Sequence, residues 1–139
     1  MERTLTIIKP DAMAAGNAGN ILAHLEREGF RILALNRMHL STDQARAFYE
    51  VHRERPFYDS LVEFMTSGPV LAAALEREDA VVGLRQVMGA TNPEEAEEGT
   101  VRAAYASSIE RNAIHGSDSP ENARIELSFF FSRAELIEA

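Results

Sequence analysis

Leu5-Thr6-Ile7-Ile8-Lys9-Pro10-Asp11 is the stretch that decides the fold class. A short aliphatic run followed by a proline, which has no N–H to give a β ladder, predicts a buried strand over residues 5–8 stopped by Pro10. Reading outward, Gly16 to Gly19 is a loop, and a helix follows with Ile21, Leu22 and Leu25 on one face and Gly29 as its stop. Phe30 to His39 carries Ile32, Leu33, Leu35 and Met38 and reads as a second strand. Ser41-Thr42-Asp43-Gln44 is a capping box that opens a helix with Ala45, Phe48 and Tyr49 turned inward and residues 52–56 breaking it. Asp59 starts a further helix bearing Leu61, Val62 and Met65, closed by Gly68-Pro69.

Val70 to Leu75 is then a third strand, and Val81 to Met88 a helix ended by Gly89. From Ala90 to Asn112 the pattern weakens into a long irregular segment with one short helix near Arg102 to Ser107; long loops inside compact domains are often functional. Ile114-His115 forms a very short strand, Ser119 caps a last helix with Pro120 at its first position, and Ile125, Leu127 and Phe130 are available for packing. A second capping box, Ser132 to Glu135, begins the tail. The order β-α-β-α-α-β-α-loop-β-α predicts an α+β fold of the ferredoxin-like, split βαβ kind: a four-stranded antiparallel sheet covered by helices, placed on one face.

A length of 139 residues favours one domain spanning 1–139. Such a chain buries roughly two-thirds of its surface, enough for a core without staples. Hydrophobic residues at 45% and charged residues at 26% are an ordinary globular balance. The absence of cysteine excludes a disulfide scaffold, a thiolate zinc site and a cysteine nucleophile. No apolar run approaches the ~18 residues a membrane span needs, and strand-like sequence from Thr4 leaves no room for a signal peptide; the expected compartment is the cytoplasm. The net charge of −8, with no basic stripe, argues against nucleic acid as the main partner. Of the 14 basic residues only Lys9 is a lysine, directly after the first strand, where a compact rotating ammonium acts differently from a planar guanidinium.

Four histidines are present. His24 lies in a polar helical stretch, His39 ends a strand, and His52 sits in a charged cluster. His115 leaves a buried strand at the small-residue turn Gly116-Ser117-Asp118-Ser119 that runs into a helix start, where backbone N–H groups can meet an anion. There is no G-x-x-x-x-G-K-[ST], G-x-G-x-x-G, hydrolase serine elbow or H-E-x-x-H. Any phosphates must therefore be held by side chains, with Lys9, His52, Arg85, Thr91 and Arg102 as candidates near loops or element ends.

These stretches closely resemble the nucleoside diphosphate kinases. The resemblance rests on Thr4 to Asp11, Phe48-Tyr49, His52, Glu54 to Phe57, Phe64 to Val70, Met88 to Pro93, Gly99 to Arg102 and Asn112-Ala113-Ile114-His115-Gly116-Ser117-Asp118-Ser119, in family order over nearly the whole chain. It implies that His115 is a nucleophile taking the γ-phosphoryl of a nucleoside triphosphate and passing it to a diphosphate. An imidazole suits that task because it is largely neutral at pH 7 and splits one transfer into two. Glu126 matches the carboxylate that holds the other ring nitrogen, and Ser117 the residue supporting it. Arg85, Thr91, Arg102, His52 and Tyr49 match phosphate-side contacts, with Mg²⁺ bridging the phosphates and no protein metal ligands. Lys9 and Asn112 match groups that bond the sugar hydroxyls, Lys9 also meeting the transferring phosphoryl group, and Phe57 matches the aromatic on which the base stacks.

The resemblance also implies a homo-oligomer, tetramer or hexamer, built from dimers through the second-strand region. The irregular segment corresponds to a loop that walls the site, its Glu94, Glu95, Glu97 and Glu98 facing water. Ala104 departs from the family's frequent aspartate, which bears on loop anchoring or assembly, and Ile125-Glu126-Leu127 varies the usual wording around the carboxylate. A catalytically idle member serving as a nucleotide-sensing or protein-interaction module is the alternative; intact Lys9, His115 and Glu126 speak against it. An RNA-binding module lacks both the aromatics and the basic balance.

Overall fold

The computed structural model describes residues 1–137. Its sheet has strands β1 (Glu2–Ile8), β2 (Arg31–Met38), β3 (Val70–Arg77) and β4 (Ile114–Gly116) in the order β2-β3-β1-β4, every pair antiparallel. The helices are α1 (Pro10–Ala14), α2 (Ala18–Arg27), α3 (Thr42–Phe48), α4 (Tyr58–Met65), α5 (Ala80–Met88), α6 (Val101–Tyr105), α7 (Pro120–Phe130) and α8 (Arg133–Leu136). Short 3-10 turns at Glu50–His52 and Pro93–Glu95 complete the described residues. This is the expected ferredoxin-like α+β arrangement. No helix of the described residues is long and apolar enough to cross a membrane.

Helices cover both faces of the sheet rather than one. Side chains alternate along a strand, and here the alternation feeds two cores. Leu5 and Ile7 of β1 with Val70, Ala72 and Ala74 of β3 meet α3, α4 and α7; Ile8, Ala73 and Leu75 meet α1, α2, α5 and α6. The reason lies in β1 and β3: β3 runs apolar without a break over residues 70–75, and in β1 the successive side chains of residues 4–8 are all buried, Thr4 and Thr6 among them. Full burial of Leu5, Ile7 and Ile8 is worth roughly 1.5–3 kcal/mol each. At Leu33 a bulge puts an extra residue into β2, so that Leu33 and Ala34 both pack on the same core.

Local chemistry sets the element ends. The capping boxes form as read: Ser41 with Gln44 and Ser132 with Glu135 exchange side-chain and backbone hydrogen bonds. Pro10 ends the strand but also opens α1, taking the first helical position where a missing N–H costs nothing. The short helix in the irregular segment is Val101–Tyr105, capped by Thr100. Ile125 is 60% exposed instead of packed, because the buried face of α7 runs through Ala123, Leu127 and Phe130. Gly116 lets α5 approach β4: a Cβ there would lie 2.6 Å from Met88 Sδ and 2.9 Å from Leu84 Cδ2.

Candidate active site

The shortest strand carries the reacting centre. β4 pairs with β1 so that His115 lies opposite Ile7. Thr6 Oγ1 donates to the His115 carbonyl at 2.7 Å, and Ser117 N–H donates to the Leu5 carbonyl at 3.2 Å. The imidazole is thus held from a buried backbone while its side chain keeps 20% exposure. Behind it, α7 presents Glu126, whose Oε1 accepts from His115 Nε2 at 2.8 Å and from Ser117 Oγ at 2.8 Å. An ionised carboxylate only accepts, so in the neutral imidazole Nε2 is the nitrogen that carries the hydrogen and Nδ1 the one with the free lone pair. Phe48 and Tyr49, at the end of α3, meet the imidazole edge-on with centroids 5.5 and 6.4 Å away.

Beside this pair stands a cationic group with few counter-charges. Lys9 is 8% exposed, and its Nζ donates to Asn112 Oδ1 at 2.8 Å, while Asn112 Nδ2 donates to the Thr91 carbonyl at 3.3 Å. Burial first, and then the Arg102 charge, pull its ammonium down to about 8, against a smaller opposing pull from Asp11 and Glu110. Arg102 donates to the carbonyls of Gly89 at 3.1 Å and Ile114 at 2.8 Å. Burial and then the Arg85 charge lower its guanidinium to about 10, which leaves it cationic at neutral pH. Arg85 itself is exposed and donates to the Gly116 carbonyl at 3.3 Å.

Unspent donors point the same way. Among buried side chains of the described residues, the Tyr49 hydroxyl and Arg102 Nε have no hydrogen-bond partner, nor does Asp11 Oδ1. Burial and then the Glu126 charge hold the Tyr49 phenol above its ordinary range, so it remains a donor. From Tyr49 a line of rings leads outward: His52 stacks on it at 6.4 Å, and Phe57, 45% exposed, tilts against His52 at 5.5 Å. Ser60 of α4 donates to both Glu110 carboxylate oxygens at 2.8 and 3.1 Å, tying α4 to the irregular segment.

All eleven residues singled out in the sequence thus belong to one connected region. Glu94, Glu95, Glu97 and Glu98 are exposed, and so is Ala104; Thr100 and Arg102 hold that segment in place. Sequence reasoning gave no role to Phe48, although its inward helical position beside Tyr49 was a usable signal. It also gave none to Asp11, whose partner is 102 residues away. No group of three or more His, Cys, Asp or Glu side chains able to hold a metal ion occurs among the described residues.

The chain is similar to known proteins of one family. The family model described as nucleoside diphosphate kinase matches residues 2–136. A nucleoside diphosphate kinase of Persephonella marina is 53% identical over 138 residues, covering 99% of each chain. One from Halorhodospira halophila is 57% identical over 136 residues, covering 98% of this chain and 96% of the relative. Among solved structures, the Aquifex aeolicus nucleoside diphosphate kinase superposes with a TM-score of 0.95 at 50% identity, covering 97% of this chain and 98% of that one. The enzyme from Encephalitozoon cuniculi gives 0.91 at 37% identity, with 94% and 89% covered.

Proposed function

The chain belongs to the nucleoside diphosphate kinase family, and we propose that it moves the γ-phosphoryl group of a nucleoside triphosphate to a nucleoside diphosphate in two halves, through a phosphohistidine at His115 Nδ1. It is a kinase acting on nucleoside diphosphates. The observation that carries the two-step reading is the bond from His115 Nε2 to Glu126, which leaves Nδ1 as the free nucleophile beside a cationic pocket. In the first half, Nδ1 attacks the γ-phosphorus. The bond to the β,γ-bridging oxygen breaks, and its electron pair leaves on the diphosphate. A terminal oxygen of the acceptor diphosphate then takes the phosphoryl group back from Nδ1. Glu126 stabilises the positive charge that develops on the ring in each half, and Ser117 fixes Glu126.

Phosphoryl transfer is chiefly positioning and charge stabilisation. Lys9, Arg85 and Arg102, with Thr91, His52 and the Tyr49 hydroxyl, supply that around the phosphates, while Lys9 and Asn112 bond the sugar and Phe57 stacks the base. Mg²⁺ fits as a counter-ion carried in on the phosphates, because the pocket offers cations and amides rather than a cluster of carboxylates; when bound it neutralises phosphate charge. Residues 1–139 act as one domain, in the cytoplasm. Dimers form through the exposed edge of β2, where Leu35 is 48% exposed, and assemble into a tetramer or hexamer; light scattering showing a monomer would contradict this.

The decisive experiment is incubation with γ-labelled ATP and Mg²⁺. Label should appear on His115 as an acid-labile, alkali-stable phosphoramidate and chase onto any added nucleoside diphosphate. Label that survives acid, or that persists in His115→Gln, overturns the mechanism; a chain that never labels is the idle alternative.

A further inference from the structure

Asn112-Ala113-Ile114 precedes the nucleophile in the chain and is gripped at three points by Lys9-Pro10-Asp11. Lys9 N–H donates to the Ala113 carbonyl at 2.9 Å, Ala113 N–H donates to Asp11 Oδ2 at 3.1 Å, and Lys9 Nζ donates to Asn112 Oδ1 at 2.8 Å. The residue at the centre of this grip has a φ of +73° although it is an alanine. Ile114 N–H donates to the Asn112 carbonyl at 2.9 Å, so residues 112–114 make a γ-turn of the rare, strained hand. Strain of this kind persists only where the surroundings over-determine it, and it clusters at functional sites. Ala113 is fully buried, so its N–H has no water to fall back on if Asp11 is removed.

We infer that Asp11 is a positioning residue for phosphoryl transfer: by holding Ala113 in the left-handed turn, its carboxylate keeps the Asn112 amide on Lys9 and starts β4 in the register that carries His115. The inference rests on the reading above, in which Lys9 and Asn112 meet the nucleotide sugar. The other Asp11 oxygen is buried and without a hydrogen-bond partner, so among the described residues the Ala113 N–H is the one donor on this carboxylate. Asp11 acts through the turn, which sets two groups at once because Asn112 opens it and His115 follows it in the chain.

The test uses the full chain as Asp11→Ala, Asp11→Asn, Ala113→Gly and the double variant Asp11→Ala/Ala113→Gly, assayed near neutral pH with nucleotides that have or lack the sugar 3′-hydroxyl. Losing the hold on a left-handed non-glycine residue should favour the relaxed backbone by roughly 5–30-fold, so Asp11→Ala should lose about that much kcat/KM. Asp11→Asn keeps an oxygen acceptor and should stay within about threefold of wild type. Glycine adopts positive φ without strain, so the double variant should recover most of the loss. Substrates without the 3′-hydroxyl, which cannot use the Lys9–Asn112 clamp, should be affected less. Wild-type activity in Asp11→Ala overturns the inference, and so does an equal, unrescued loss on both substrate types. Should Asp11→Ala not fold, a tenfold loss in Asp11→Asn overturns it alone. Hydrogen exchange at the Ala113 amide, expected to accelerate in Asp11→Ala and not in Asp11→Asn, judges the turn even if the wild-type chain transfers nothing.

Discussion

The two ends of the site are built differently. At the deep end His115, Glu126 and Ser117 form one set of side-chain hydrogen bonds and Lys9 and Asn112 another, each bond 2.8 Å long, beside β1 and β4. At the shallow end Phe57 lies 45% exposed at the start of α4, linked to His115 through ring contacts with His52 and Tyr49. Groups fixed in advance can stabilise charge as it moves, without reorganising during the reaction. An exposed ring offers only a face. In the proposed reaction the deep end is the part that sets rate and the shallow end the part that meets the base.

The largest expected effect tests the deep end directly. Glu126→Ala leaves His115 Nε2 and Ser117 Oγ without their shared acceptor and should lower turnover by roughly 10²–10⁴ while fold and nucleotide affinity stay near normal. Steady-state rates with equilibrium binding separate the two quantities. Unchanged turnover would mean that the geometry at His115 does not govern the rate, and the contrast between the ends would collapse.

Lys9 gives the next effect and ties both ends to pH. With its ammonium lowered to about 8 by burial and the Arg102 charge, kcat/KM, which reports the free enzyme, should fall about tenfold per pH unit above that value. Stability should move the other way. Below about pH 8 both the folded and the unfolded chain carry the Lys9 proton, so the full cost of burying the charge is present. Between about 8 and the ordinary 10.5 the folded chain sheds it first. The unfolded state then binds more protons, so the Lys9 contribution favours folding increasingly through that window, by up to ~3 kcal/mol in all. Denaturant titrations of wild type against Lys9→Met isolate this contribution, since the variant has nothing to titrate there. A wild-type advantage that grew with falling pH would reverse the assignment.

What was legible in the sequence divides along similar lines. Strand β1, the capping boxes at Ser41 and Ser132, and Pro120 at the start of α7 are local signals, readable because their physics is complete within a few residues. Burial on both faces was also written there, in the unbroken apolar run of β3, but the Thr-Leu-Thr-Ile alternation of β1 reads equally as a one-sided strand and conceals it. Helix α1 hid behind a proline that serves equally as strand stop and helix start. The left-handed Ala113 could not be read, because alanine carries no preference for positive φ and the carboxylate that bonds it is distant in sequence. Nor does sequence say which imidazole nitrogen faces Glu126; the packing of α7 against β1, which brings Glu126 to His115, decides that.

The smallest effect belongs to the base. A site that reads base edges needs buried hydrogen-bonding groups, and such sites reject the wrong partner by about 10⁴–10⁵. The base end has instead an exposed phenyl ring at Phe57, and every base has a π-face to lay against it. Glu110 is already held by Ser60 of α4 and lies open to water, so it adds little discrimination. Purine and pyrimidine diphosphates should therefore differ in kcat/KM by no more than ~10², with purines ahead through their larger stacking area. Ribose and deoxyribose nucleotides should both be used. Phe57→Ala should weaken every base by roughly 5–30-fold and narrow the purine advantage, since it removes the one surface that distinguishes ring size. A thousandfold preference for a single base, or a Phe57→Ala variant that keeps the purine advantage intact, would show that the shallow end reads edges after all, and the division of labour between the two ends would have to be redrawn.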